Sequence, residues 1–293
     1  MKKNHFFKTQ ATLLLLVSFL ALIAFGCEAQ QDPGCGSNSG SKPVNKVCKE
    51  SVSVDKTAGA MLYYPCGISR PAAATTLTGG TGGTWESVEW LSNEIAAAGY
   101  VVVSFTAMNY VNGLVPKWTN GHLSAIDKIK ALNSSHSILR GKIRTNAIQV
   151  AGHSKGGGGA LDAAIKRGSE VASVVGMAPY SKLFGTGQEE YPVAQLSTVR
   201  AAVLIQSGGD KDKNSPPYVT REQYDALPDD ISKAYHRFDS FGHMTWAKPG
   251  SDAQHARLAR DIIAWMKYYL DHDSSQASYI NDPSLKGVNI WQK

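Results

Sequence analysis

One pentapeptide has residue types and spacing that can do chemistry: Gly152-His153-Ser154-Lys155-Gly156. It follows the apolar run Ala147-Ile148-Gln149-Val150-Ala151 and precedes a small-residue helical pattern from Gly157 to Ala164. Strand, sharp turn and helix in that order hold a serine in a strained backbone with its hydroxyl exposed above a sheet. The flanking glycines matter because a Cβ would clash in so tight a bend. The helix N-terminus presents N–H groups that favour a developing negative charge. Ser154 is therefore expected to be a nucleophile toward an acyl carbon.

Such a serine needs a base and an acid that orients the base. In this arrangement they follow in the order serine, acid, histidine, on loops at the carboxyl ends of strands. The loop after Ala202–Gln206 reads Ser207-Gly208-Gly209-Asp210-Lys211-Asp212-Lys213-Asn214-Ser215-Pro216, so Asp210 and Asp212 compete. A G-x-x-D-x-x-x-P pattern is met by Gly209, Asp212 and Pro216, which favours Asp212; the other acid is left to turn hydrogen bonds. The loop after Ala234–Phe238 reads Ser240-Phe241-Gly242-His243-Met244 and nominates His243 as the base. His153 is expected to point away from the nucleophile's path, and His122, His136, His236, His255 and His272 to be surface or helix residues.

Attack by Ser154 on an ester carbonyl makes an oxyanion that needs two donors. One is expected from the backbone N–H of Lys155, the other from Thr81 in Gly79-Gly80-Thr81-Gly82-Gly83, the loop that follows the strand Ala72–Leu77. That glycine loop lacks the Lys-Ser/Thr that ends a phosphate-binding loop. No cofactor and no metal is called for.

The elements that position these residues alternate. Strands are predicted at 58–64, 72–77, 100–105, around Ile148, and at 171–177, 201–207 and 234–238. Helices are predicted at 85–98, 123–132, after Ser154 and at 253–271. The alternation implies an α/β fold with a mostly parallel central sheet and helices on both faces. Its 293 residues suffice for one large α/β domain.

Residues 1–26 read as a signal peptide. Lys2, Lys3 and Lys8 precede an apolar core, Leu13 to Phe25, interrupted by Ser18 and too short to span a bilayer. Without them the chain holds 27 basic and 24 acidic residues, against a net charge of +6 for the whole. Nothing beyond scattered Lys and Arg suggests nucleic-acid binding. Ala24-Phe25-Gly26-Cys27 is either a lipoprotein site, with Cys27 lipidated and tethered to a membrane, or a cut after Gly26 or Ala29. Residues 27–55 read as a linker and 56–293 as the folded domain, expected to be monomeric. Of Cys27, Cys35, Cys48 and Cys66, the pairs Cys35–Cys48 and Cys48–Cys66 are both open in an exported protein.

With these residues placed, the chain resembles the bacterial cutinase and poly(ethylene terephthalate) hydrolase group of the dienelactone-hydrolase-like α/β-hydrolases. The resemblance covers about residues 58–275. It rests on Gly152-His153-Ser154-Lys155-Gly156-Gly157-Gly158-Gly159, Ala178-Pro179-Tyr180, Gly242-His243 and Ala264-Trp265-Met266-Lys267. It implies an α/β-hydrolase fold and an exported serine carboxylic-ester hydrolase acting on polyesters. A small-molecule esterase or lipase is the alternative, and a non-catalytic envelope-anchored binding protein is the alternative of another class. The 31-residue interval from Asp212 to His243 is similar to that family's spacing. By resemblance Tyr180 falls where a tryptophan usually packs on the acyl part of the substrate. Thr81 replaces an aromatic clamp, Lys155 replaces a methionine, and the family's C-terminal cysteines are absent. A basic residue after the serine is similar to the plant chlorophyllase-like branch. Lys155 is then expected either to attract a carboxylate-bearing substrate or to point to solvent. Trp118, Trp246 and Tyr110 are expected either to rebuild an apolar cleft or simply to pack.

Overall fold

The computed structural model describes residues 45–183, 186–247, 252–280 and 290–292. Among the described residues, nine strands form one sheet. They are β1 (Val47–Ser51), β2 (Thr57–Pro65), β3 (Ala72–Thr78), β4 (Val101–Ala107), β5 (Ile143–His153), β6 (Ser173–Met177), β7 (Ala202–Gly208), β8 (Lys233–Phe238) and β9 (Ile290–Gln292). The order across the sheet is β1-β2-β4-β3-β5-β6-β7-β8-β9. From β4 to β8 every neighbouring pair is parallel; β1, β2 and β9 pair antiparallel at the edges. The helices that bear on the site are α1 (Glu89–Ala97), α2 (Val115–Ser135), α3 (Lys155–Arg167), α4 (Pro217–Asp225) and α5 (Asp252–Leu270).

A parallel strand covered on both faces has no polar side to show, which is why β4 reads as a continuous apolar run. All seven of its residues are buried. Val101, Val103 and Phe105 point into one core with Trp118, Ile126 and Ile129 of α2 and Leu161 of α3. Val102 points into the other, with Leu91 and Ile95 of α1 and Leu258, Ile262 and Trp265 of α5. Helices thus cover both faces, the α/β-hydrolase arrangement.

Two parts of the sequence reading change. The helix expected at 123–132 begins eight residues earlier, at Val115, where Pro116 sits in the first turn and tolerates the absence of an N–H. The glycine that obscured it, Gly121, is required there: a Cβ would lie 2.3 Å from the Phe105 ring. The stretch 27–55 read as linker contains β1. Its residues Val-Cys-Lys-Glu-Ser carry no apolar signature because an edge strand pairs on one side and remains largely exposed. Cys48 of β1 is bonded to Cys66, just past β2, which decides between the two pairings left open.

Candidate active site

Ser154 sits between β5 and α3 with φ +55° and ψ −122°, a conformation that non-glycine residues rarely adopt. The strain is held by tight packing. A Cβ on Gly152 would lie 2.4 Å from the carbonyl of Gly156, and one on Gly80 would lie 2.5 Å from the Ser154 Cβ. The Ser154 amide donates to Met177 O (2.9 Å), and the Tyr180 amide donates to Ser154 O (3.0 Å). The turn is therefore anchored to the ends of β6 and its following loop.

The sheet's carboxyl edge brings the three expected side chains together. Ser154 Oγ lies 2.9 Å from His243 Nε2. His243 Nδ1 lies 3.1 Å from Asp212 Oδ2. Asp212 is fully buried, and its Oδ1 also accepts the amides of Asn214 (3.0 Å) and Ser215 (2.8 Å). Asp210, the competing acid, is 87% exposed and pairs with Arg237 at 3.0 Å, so it does not reach the ring. In this geometry Nδ1–H donates to the carboxylate, and Nε2 accepts from the serine hydroxyl.

The glycine loop after β3 presses Gly80 against the nucleophile, with Thr81 next along the chain and exposed. The amides of Gly82 and Gly83 donate to Tyr110 O (2.9 Å) and Gly80 O (3.0 Å), which removes both as oxyanion donors.

His153 does not simply turn away. Its ring packs 4.7 Å from that of His243, and its Nε2–H donates to the His243 carbonyl at 2.8 Å. Burial, then the neighbouring His243, pushes its pKa down to about 3. His122 is likewise buried, between Thr76 Oγ1 (2.7 Å) and Gly156 O (3.1 Å) at the base of α3. Burial lowers its pKa to about 4. His236, expected at the surface or in a helix, lies on β8 and pairs with buried Asp261 at 2.8 Å. No local sequence signal marks these partners; the sheet register supplies them.

The sign of the pH dependence follows. Unfolded His122 and His153 titrate near 6.5, and the folded rings resist protonation until about pH 4 and about pH 3. The unfolded state therefore binds more protons in this window, and stability falls as pH drops below about 6.5. Between pH 7.5 and 4.5 the two rings are expected to remove on the order of 5 kcal/mol, read by urea unfolding at each pH. His122→Asn should flatten that slope by about one proton. Equal stability at the two pH values would contradict it.

Lys155 does not point to solvent, one of the two outcomes expected of it. Its ammonium is turned inward, 2.9 Å from Gly113 O and 3.1 Å from Glu190 Oε1. Trp118 and Trp246 are fully buried, their indole N–H groups donating to Gly79 O (2.9 Å) and Gln206 Oε1 (3.0 Å), so they pack and do not line a cleft. Tyr110 and Tyr180 remain half-buried. Large apolar side chains missed by the sequence reading stand exposed instead. Met108, Val111 and Leu114 lie on the loop between β4 and α2, and Met244 follows His243. That loop touches the site through the Gly82 amide and the Lys155 ammonium.

A family model described as PET hydrolase-like matches residues 28–290. The chain belongs to that family. As a member of the PET hydrolase-like family it is a carboxylic-ester hydrolase. Curated relatives include cutinase 2 of Thermobifida cellulosilytica, 27% identical over 83% of this chain and 86% of the relative. Cutinase cut1 of Thermobifida fusca is 27% identical over 83% of this chain and 70% of its own length. A bis(hydroxyethyl) terephthalate hydrolase of Streptomyces coelicolor is 25% identical over 78% and 68%.

Proposed function

We propose that this family member is an exported serine hydrolase that cleaves polyesters through Ser154, His243 and Asp212. The observation that carries the proposal is the continuous contact from Ser154 Oγ to His243 Nε2 (2.9 Å) and from His243 Nδ1 to Asp212 (3.1 Å). His243 takes the hydroxyl proton as Oγ bonds to the ester carbonyl carbon. Asp212 stabilises the imidazolium. The N–H groups of Lys155 and Thr81 receive the oxyanion. As the intermediate collapses, the imidazolium returns the proton to the departing alcohol oxygen, leaving Ser154 acylated. Water, deprotonated by the same ring, then releases the carboxylic acid.

The polyester part rests on the names of the relatives and on the exposed apolar side chains of Met108, Val111, Leu114 and Met244 beside the site. A polymer surface is apolar, and exposed apolar side chains on the elements that flank the site suit contact with it. The second reading, a short-acyl esterase, is favoured by the burial of Trp118 and Trp246, which narrows the aromatic surface on offer. Incubation with a fluorophosphonate, a soluble nitrophenyl ester and a polyester film separates the readings. Covalent labelling of Ser154 with product release from both substrates is expected. Activity on the soluble ester alone would give the second reading. A folded protein that takes no label would be a binding protein.

Export belongs to the same proposal. Residues 1–26 serve as the signal, and the domain is then either tethered through lipidated Cys27 or released by a cut after Gly26 or Ala29. This segment lies outside the described residues. Among the described residues no helix is long and apolar enough to cross a membrane.

A further inference from the structure

Lys155 follows the nucleophile directly, yet its side chain is only 13% exposed and that of its partner Glu190 is 1% exposed. The pair joins three segments. The ammonium holds Gly113 O on the loop that carries Met108, Val111 and Leu114. Glu190 Oε2 accepts the Val115 amide at 2.7 Å, at the start of α2. The Glu190 amide donates to Ser181 O (2.8 Å), and a bridge joins Lys182 to Glu189, closing the excursion that begins just after Tyr180. The ammonium also faces the rings of Tyr180 and Trp118, 5.4 and 5.8 Å from their centroids. Such contacts are strongest where water is excluded.

We propose that Lys155 and Glu190 are positioning residues that fix the two walls flanking Ser154 and so set the size of ester the site accepts. A buried pair of this kind adds little net stability but is costly to break on one side, because a lone charge stays behind without water. Its use here is geometric: it fastens the 108–114 loop and the Tyr180 segment to the first turn of α3. The same pairing occupies the ammonium, so a carboxylate on the substrate is not its partner.

This inference rests on Ser154 being the nucleophile, so labelling by a fluorophosphonate is scored first. Failure of the wild type to label removes the underlying reading. In protein that labels, Glu190→Gln keeps an acceptor for the Val115 amide and removes the charge. It is expected to raise KM for a bulky aromatic diester by about tenfold, a larger change than in kcat and larger than for an acetyl ester. Lys155→Met should raise KM for neutral and anionic esters alike. The double variant should be no worse than Lys155→Met, because coupled partners are not additive. If Glu190→Gln fails to fold, the comparison of Lys155→Met with the double variant, which leaves no buried lone charge, carries the test. Unchanged KM in labelled Glu190→Gln, additive effects, or a Lys155→Met change confined to carboxylate-bearing esters would overturn the proposal.

Discussion

Ser154→Ala is expected to lower kcat/KM on a soluble nitrophenyl ester by about a thousandfold or more, with little change in the unfolding midpoint. The substitution removes one oxygen and its bond to His243 Nε2, while Cβ keeps its place against Gly80. Alanine pays the same backbone strain at φ +55° as serine, so the turn itself gains no new cost. What disappears is covalent catalysis: the imidazole has no hydroxyl to deprotonate, and no acyl-enzyme forms. The residual rate reports the oxyanion donors and binding alone. Steady-state kinetics with intact-mass analysis after fluorophosphonate treatment reads both effects. Retained labelling or a loss below tenfold would assign the nucleophile elsewhere.

Asp212→Asn is expected to lower kcat by about ten-thousandfold, whereas Asp210→Asn changes it by less than about threefold. The amides of Asn214 and Ser215 both donate to Asp212 Oδ1. An asparagine would turn its carbonyl oxygen toward those two donors and leave its NH2 facing His243 Nδ1. That nitrogen must then accept, which moves the ring proton to Nε2, opposite the serine hydroxyl. Two donors would face each other and no base would remain. Asp210 is exposed and bound to Arg237, so its change does not reach the ring. Kinetics of the two variants against the same ester decide the matter; the reverse order would move the acid to Asp210.

Much of this fold was legible because a covered parallel sheet writes itself as apolar runs. Strands β3 to β8 and helices α1, α3 and α5 come within a few residues of the sequence reading. The elements that escaped it have physical reasons. β1 is a polar edge strand. The first two turns of α2 contain Pro116 and Gly121, both poor helix signals out of context. α4 begins at Pro217, directly after Pro216, and is largely polar in composition. For the candidate site, the sequence identified Ser154 by its flanking glycines and His243 by its place after a strand. It ranked Asp212 above Asp210 on a short pattern.

By itself, then, the sequence determined the alternation of strands and helices, the sharp turn around Ser154, and the loops in which its partners had to be sought. These are local properties, written in periodicity and in glycines that permit one backbone shape. The tertiary structure alone decided which acid meets the imidazole, which cysteine Cys48 joins, that His153 packs against His243, and that the Lys155 ammonium turns inward to Glu190. Those outcomes depend on contacts between residues far apart in the chain. Only the packed sheet fixes the distances on which a hydrogen bond or an ion pair depends.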